Sequence, residues 1–130
     1  MDFNYWKEYS PEKFETIVKK NPMSPEKIDP MILDKEIIVF SSGEMNSSIA
    51  PMGNFKYKIL INSNDDCEKQ KKDLIHKIAH GFYKISVFSA KGEECPMSKI
   101  EEIITKETED FCDKYTDYVD TLYTKLLVRK

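Results

Sequence analysis

A chain of 130 residues that is 40% hydrophobic supports one modest core, so a single domain over 1–130 is expected. Its 20 basic and 23 acidic residues are well mixed and leave a net charge of −3, which excludes nucleic-acid binding driven by bulk charge. No apolar run approaches a membrane span, and Met1–Glu8 lacks the apolar stretch of a signal peptide, so no membrane partner is expected.

Cys67, Cys95 and Cys112 are odd in number and widely spaced, with no C-x-x-C pair. This is neither a disulfide framework nor a cysteine zinc site, and it reads as free thiols in a reducing cytoplasm.

In chain order, Ser10-Pro11-Glu12-Lys13 is a helix start, with a Ser N-cap and Pro at the first helical position. Phe14, Ile17 and Val18 give that helix an apolar face. The same four letters recur at Ser24–Lys27 and predict a second short helix ending near Asp29-Pro30. Ile37–Phe40 has the signature of a buried strand, and a short edge strand is expected around Ser48–Ala50. Phe55–Asn62 alternates, with Phe55, Tyr57, Ile59 and Ile61 on one face, as a strand with one side on the core requires. A helix should then start among Ser63–Asp66 and run to about Lys84, followed by a loop over Ile85–Met97. Ser98-Lys99-Ile100-Glu101 fits a capping box, and the longest helical pattern follows it to about Val128. The order of helices, strands and helices points to α+β, with about three strands.

Both histidines, His76 and His80, lie four apart on the helix after the last strand. That spacing puts two imidazoles on one helical face, where they can share a zinc ion. On a helical wheel they sit together at the border of the apolar face formed by Ile75, Ile78, Ala79, Phe82 and Tyr83, with Lys77 further round.

A zinc site needs a third protein ligand. On the last helix Ile100, Ile104, Phe111, Tyr115, Tyr118, Leu122 and Leu126 form a core-facing stripe, and Glu107 falls near its centre. A carboxylate placed there needs a metal, a lysine, a hydrogen-bond network or an exit to water, because burying it alone costs several kcal/mol. As a metal ligand it would complete a set of His76, His80 and Glu107.

These residues resemble the ImmA/IrrE family of zinc metallopeptidases. Lys58–Asn62 followed by Leu74-Ile75-His76-Lys77-Ile78-Ala79-His80-Gly81-Phe82 resembles the family's strand and its H-E-[LI]-[AG]-H helix, and Glu107–Cys112 resembles its later E-A-[ND]-x-F-A stretch. The resemblance covers about Glu36 to Leu122. It implies a zincin-like fold, in which a small sheet packs with an active-site helix and a long C-terminal helix. It also implies zinc on His76, His80 and Glu107, and an intracellular protein or peptide as substrate or partner, transcriptional regulators among them.

The departure that matters is Lys77, which stands where the family has its general-base Glu. A lysine ammonium cannot take the proton of a metal-bound water. Three outcomes stay open: a zinc-binding but inactive hydrolase relative, a metal-free scaffold in which Lys77 pairs with Glu107, or a peptidase with a rebuilt base. Asp73, one turn before Lys77, could act through a water. A non-catalytic module that binds a peptide or regulator along its edge strand is the competing function.

Overall fold

The computed structural model describes residues 11–53, 56–83 and 97–128. The expected Ser10 cap, Phe55 and the loop over 85–96 lie outside these residues, as does Cys95.

Helix α1 (Pro11–Lys20) carries Glu12 in its first turn and Lys19 and Lys20 in its last, which suits the helix dipole. Its apolar side is anchored by Phe14 and Val18, both buried. Helix α2 (Pro25–Leu33) starts at Ser24, whose side chain makes no capping bond; its carbonyl instead accepts from the N–H groups of Lys27 and Ile28. The helix was expected to stop near Asp29-Pro30, yet it runs through Pro30 to Leu33. Proline there removes one helical hydrogen bond, and packing of Ile28, Met31 and Ile32 on the core holds the rest.

Helix α2 ends in a Schellman motif. Lys35 takes φ 60°, Lys35 N–H bonds the carbonyl of Ile32, and Glu36 N–H bonds that of Met31. The reversal delivers the chain directly into the sheet.

Strands β1 (Ile37–Ser42), β2 (Ser48–Pro51) and β3 (Tyr57–Asn62) form one sheet in the order β1-β3-β2. β1 runs parallel to β3 with Ile37 opposite Tyr57, and β2 runs antiparallel with Ser48 opposite Leu60. Among the described strands, the last in sequence is therefore the central one. Ile37, Val39, Ile49, Tyr57, Ile59 and Ile61 bury one face of the sheet, which bears out the alternation of the expected strand from Tyr57 onward.

Helix α3 (Cys67–Phe82) opens at Asp66, whose carboxylate accepts from the N–H of Lys69 at 2.8 Å. It packs on β3 with Leu74, Ile75, Ile78 and Ala79, all fully buried. Helix α4 (Met97–Lys114) lies against α3 on one side and α1 on another. Its Ile100, Ile104 and Phe111 enter the core as the stripe predicted.

The long final helix does not run unbroken. It stops at Tyr115 (φ −122°, ψ 45°), and α5 (Thr116–Tyr123) and a π-helical turn (Thr124–Val128) follow. Thr116 Oγ1 donates to the carbonyls of Cys112 and Asp113 at 3.0 and 3.3 Å, a side-chain competition with backbone bonding that bends helices. Beyond the bend, Val119 and Leu122 are buried and the Tyr118 hydroxyl bonds Asp29 of α2.

Among the described residues the architecture is α+β, with five α-helices and a three-stranded mixed sheet. Among the described residues Cys67 and Cys112 are free thiols, and no helix is long and apolar enough to cross a membrane.

Candidate metal centre

α3 is sandwiched between the sheet and α4, which decides the surroundings of its histidines. His80 is fully buried, while the His76 side chain is 22% exposed. Their rings stand 5.0 Å apart at 42°. The border position expected from the wheel thus becomes one sealed and one accessible imidazole.

The carboxylate beside them is Glu101, not the expected Glu107. Glu101 Oε1 lies 2.9 Å from His76 Nε2 and 3.2 Å from His80 Nε2. One donor atom from each of the three residues falls within 4.8 Å of the others, so the group could hold a metal ion, and among the described residues it is the one such group. A tetrahedral ion with bonds of about 2.0–2.1 Å sets its ligand atoms roughly 3.3 Å apart. The two distances from Glu101 Oε1 to the histidine nitrogens need to open by only a few tenths of an ångström. Two neutral nitrogens and one carboxylate oxygen are also a donor set common for zinc.

Glu107 lies six residues further along α4, about 9 Å at 1.5 Å per residue. α4 packs along α3, and it is the turn carrying Glu101 that meets His76 and His80. Glu107 is engaged elsewhere: its Oε2 accepts from the N–H of Met23 at 2.9 Å and lies 3.5 Å from the Tyr83 hydroxyl. That hydroxyl donates to the Asn21 carbonyl at 2.9 Å. The hydrogen-bond network anticipated as one fate of a buried Glu107 is the one found. The Lys77–Glu107 ion pair does not form.

Lys77 lies on the other flank of α3. It lines a shallow polar depression with Asn46, Ser47, Asn62 and Asp73, and makes no ion pair among the described residues. Asp73, the residue weighed as a relay base, is instead held by Lys69 at 3.0 Å.

The two glutamates are tuned in opposite directions. Burial alone would raise the Glu101 carboxyl, but hydrogen bonds from His76 and His80, and then their charge, outweigh it and hold it well below the usual carboxylate range. Burial raises the Glu107 carboxyl, and the Met23 N–H offsets this only in part. Burial likewise pushes the Tyr83 hydroxyl up, with the nearby Glu107 charge adding to it.

For Glu101 the pH consequence has a definite sign. A carboxyl lowered in the folded state contributes stability that is complete above its unfolded value, about 4.3, and is lost as the pH falls through the folded value. In metal-free protein, Glu101→Gln is therefore expected to flatten the acid limb of the stability curve below about pH 4.3. Urea midpoints measured from pH 7 to pH 3 check this, and parallel curves for the two proteins would contradict it.

Glu101 had been absorbed in sequence by the capping-box pattern. The helix starts at Met97, ahead of that box, which places Glu101 beyond the cap and turned toward α3. The signal that could have found it is its spacing, three residues before Ile104 and seven before Thr108, both buried. Comparison of the chain with protein-family models, curated proteins and solved structures gives no match.

Proposed function

We propose that this protein is a zinc-binding, peptidase-like scaffold of the ImmA/IrrE type that lacks peptide-bond hydrolysis. The observation that carries the reading is the convergence of His76 Nε2 and His80 Nε2 on one oxygen of Glu101, across two helices. The placement of the histidines on a helix that follows the central strand supports it, as does the antiparallel edge strand β2.

On this reading His76, His80 and Glu101 hold the ion. Zinc bound there would supply Lewis acidity toward a fourth ligand. The chain's own residues do not complete a hydrolytic centre. Lys77 stands at the sequence position of the base but lies on the other flank of α3, and Asp73 is committed to Lys69. Glu107 serves the packing of α4 on the α1–α2 connection. Zinc content after equilibration with equimolar metal and removal of excess tests the assignment. Stoichiometric zinc is expected, and protein that takes up none refutes it.

A second reading is favoured by a separate observation. Among the described residues β2 is an edge strand, and Met45 and Met52 near its two ends are exposed. An intracellular peptide or transcriptional regulator could add to that edge as an extra strand. Lys77→Glu separates the two readings. On the peptidase scaffold it is expected to confer zinc-dependent cleavage of an unfolded protein substrate such as casein. A pure binding module stays inert with either residue.

A further inference from the structure

The histidines use one flank of α3, and the flank carrying Lys77 borders a polar depression of about 280 Å³. It lies at the carboxyl end of β3, where that strand turns over into α3. Open sheets with parallel strands gather their ligands at that end. Asn62, the last residue of β3, and Ser47, just ahead of β2, form its sheet side. Asp65, Lys69, Asp73 and Lys77, spaced a helical turn apart, form the other.

The charges there sum to zero but do not cancel locally. Lys69 Nζ lies 3.7 Å from Asp65 and 3.0 Å from Asp73, so one ammonium serves two carboxylates and a negative charge is left over. Lys77 lies four residues beyond Asp73, about 6 Å along the helix at 1.5 Å per residue. It is partly buried and makes no ion pair or hydrogen bond among the described residues.

The neutral groups have only donors to spare. Ser47 Oγ accepts from the Asn62 N–H at 3.0 Å, which leaves its own proton to donate. Asn62 Oδ1 accepts from the N–H of Asn64 at 2.8 Å, which leaves its amide N–H groups to donate. The depression thus offers an unpaired ammonium with neutral donors, and a turn away a carboxylate in surplus.

We propose that this depression binds a free α-amino acid, with its carboxylate on the Lys77 ammonium and its ammonium on the Asp73 carboxylate. A simple anion would satisfy Lys77 but meet the surplus charge of the Asp65–Lys69–Asp73 trio, and a simple cation would do the reverse. A zwitterion satisfies both and adds no net charge. The volume falls just under the roughly 300–1,000 Å³ of drug-sized sites, which suits a ligand this small. The site shares no residue with His76, His80 and Glu101, so its failure leaves the zinc proposal intact.

Metal-free protein tests this, because an amino acid could otherwise bind an ion at the histidines. L-alanine presents both charges, N-acetyl-L-alanine the carboxylate alone and L-alanine amide the ammonium alone. Saturable NMR shifts of the Asn62 and Lys77 backbone amides are expected with L-alanine. Each blocked derivative is expected to bind about tenfold more weakly, the scale of one charged hydrogen bond. Lys77→Met and Asp73→Asn change partly exposed side chains, and each is expected to weaken L-alanine by a similar factor.

No saturable shift with L-alanine overturns the site, as does unchanged affinity in Lys77→Met. N-acetyl-L-alanine binding as tightly as L-alanine overturns it in favour of a plain anion site. The blocked derivatives need no variant, so they decide the matter even if a substitution disturbs the fold.

Discussion

Glu101→Ala is expected to lower zinc affinity by about a hundredfold or more, while Glu107→Ala leaves it unchanged. Changes that merely support a ligand cost about 10–100-fold, and loss of a ligand costs at least the upper end of that range. The contrast is sharp because both glutamates lie on α4, and the resemblance in sequence singled out the other one. His76→Ala belongs in the same series. Its side chain is partly exposed, so its removal leaves less of a hole than removal of the fully buried His80. Competition against a chelator of known affinity gives the numbers. Metal retained by Glu101→Ala and lost by Glu107→Ala would reverse the assignment.

Glu107→Ala is expected to act on stability instead, by about 1–3 kcal/mol. The Met23 N–H now bonds Glu107 Oε2, and truncation leaves that donor without a partner beside the buried Met23 side chain. The Tyr83 hydroxyl keeps its bond to Asn21 and loses its neighbour. Glu107→Gln separates charge from hydrogen bonding. Its amide oxygen can accept the same N–H, and it carries no charge to bury. A carboxyl raised in the folded state costs stability as the pH climbs past it, so the glutamine variant is expected to match or exceed the parent at pH 7. Urea midpoints for the three proteins decide this. An alanine variant as stable as the parent would show that the Met23–Glu107 bond does not hold α4 to the α1–α2 connection.

These two glutamates also show where sequence reasoning reaches its limit. The histidine pair was legible because a spacing of four is a local property of a helix. The alternation of Tyr57, Ile59 and Ile61 was legible for the same reason. Which carboxylate meets the histidines depends on how α3 and α4 align end to end, which no local pattern encodes. Periodicity placed Glu107 on the core side of α4, and it does lie there, but opposite the α1–α2 connection instead of the histidines. Glu101 was hidden because S-x-x-E has a sufficient local explanation. The bend at Tyr115 escaped because the apolar stripe continues through it. Only the hydroxyl of Thr116, turned back on the carbonyls of Cys112 and Asp113, marks the break. The run of α2 through Pro30 was a contest between a lost hydrogen bond and tertiary packing, and packing won.

The bend has a consequence for the histidines themselves. It turns α5 back toward the start of α3, where Lys71 meets Asp120 at 2.7 Å and the Tyr123 hydroxyl donates to Gln70 at 3.3 Å. One stretch of chain therefore grips α3 at both ends, through Glu101 near its finish and through Asp120 and Tyr123 near its beginning. A rod held at two points has no freedom to slide along its own axis. The axial register of His76 and His80 against Glu101 is fixed in part from the far end of the helix, by an ion pair that never approaches them.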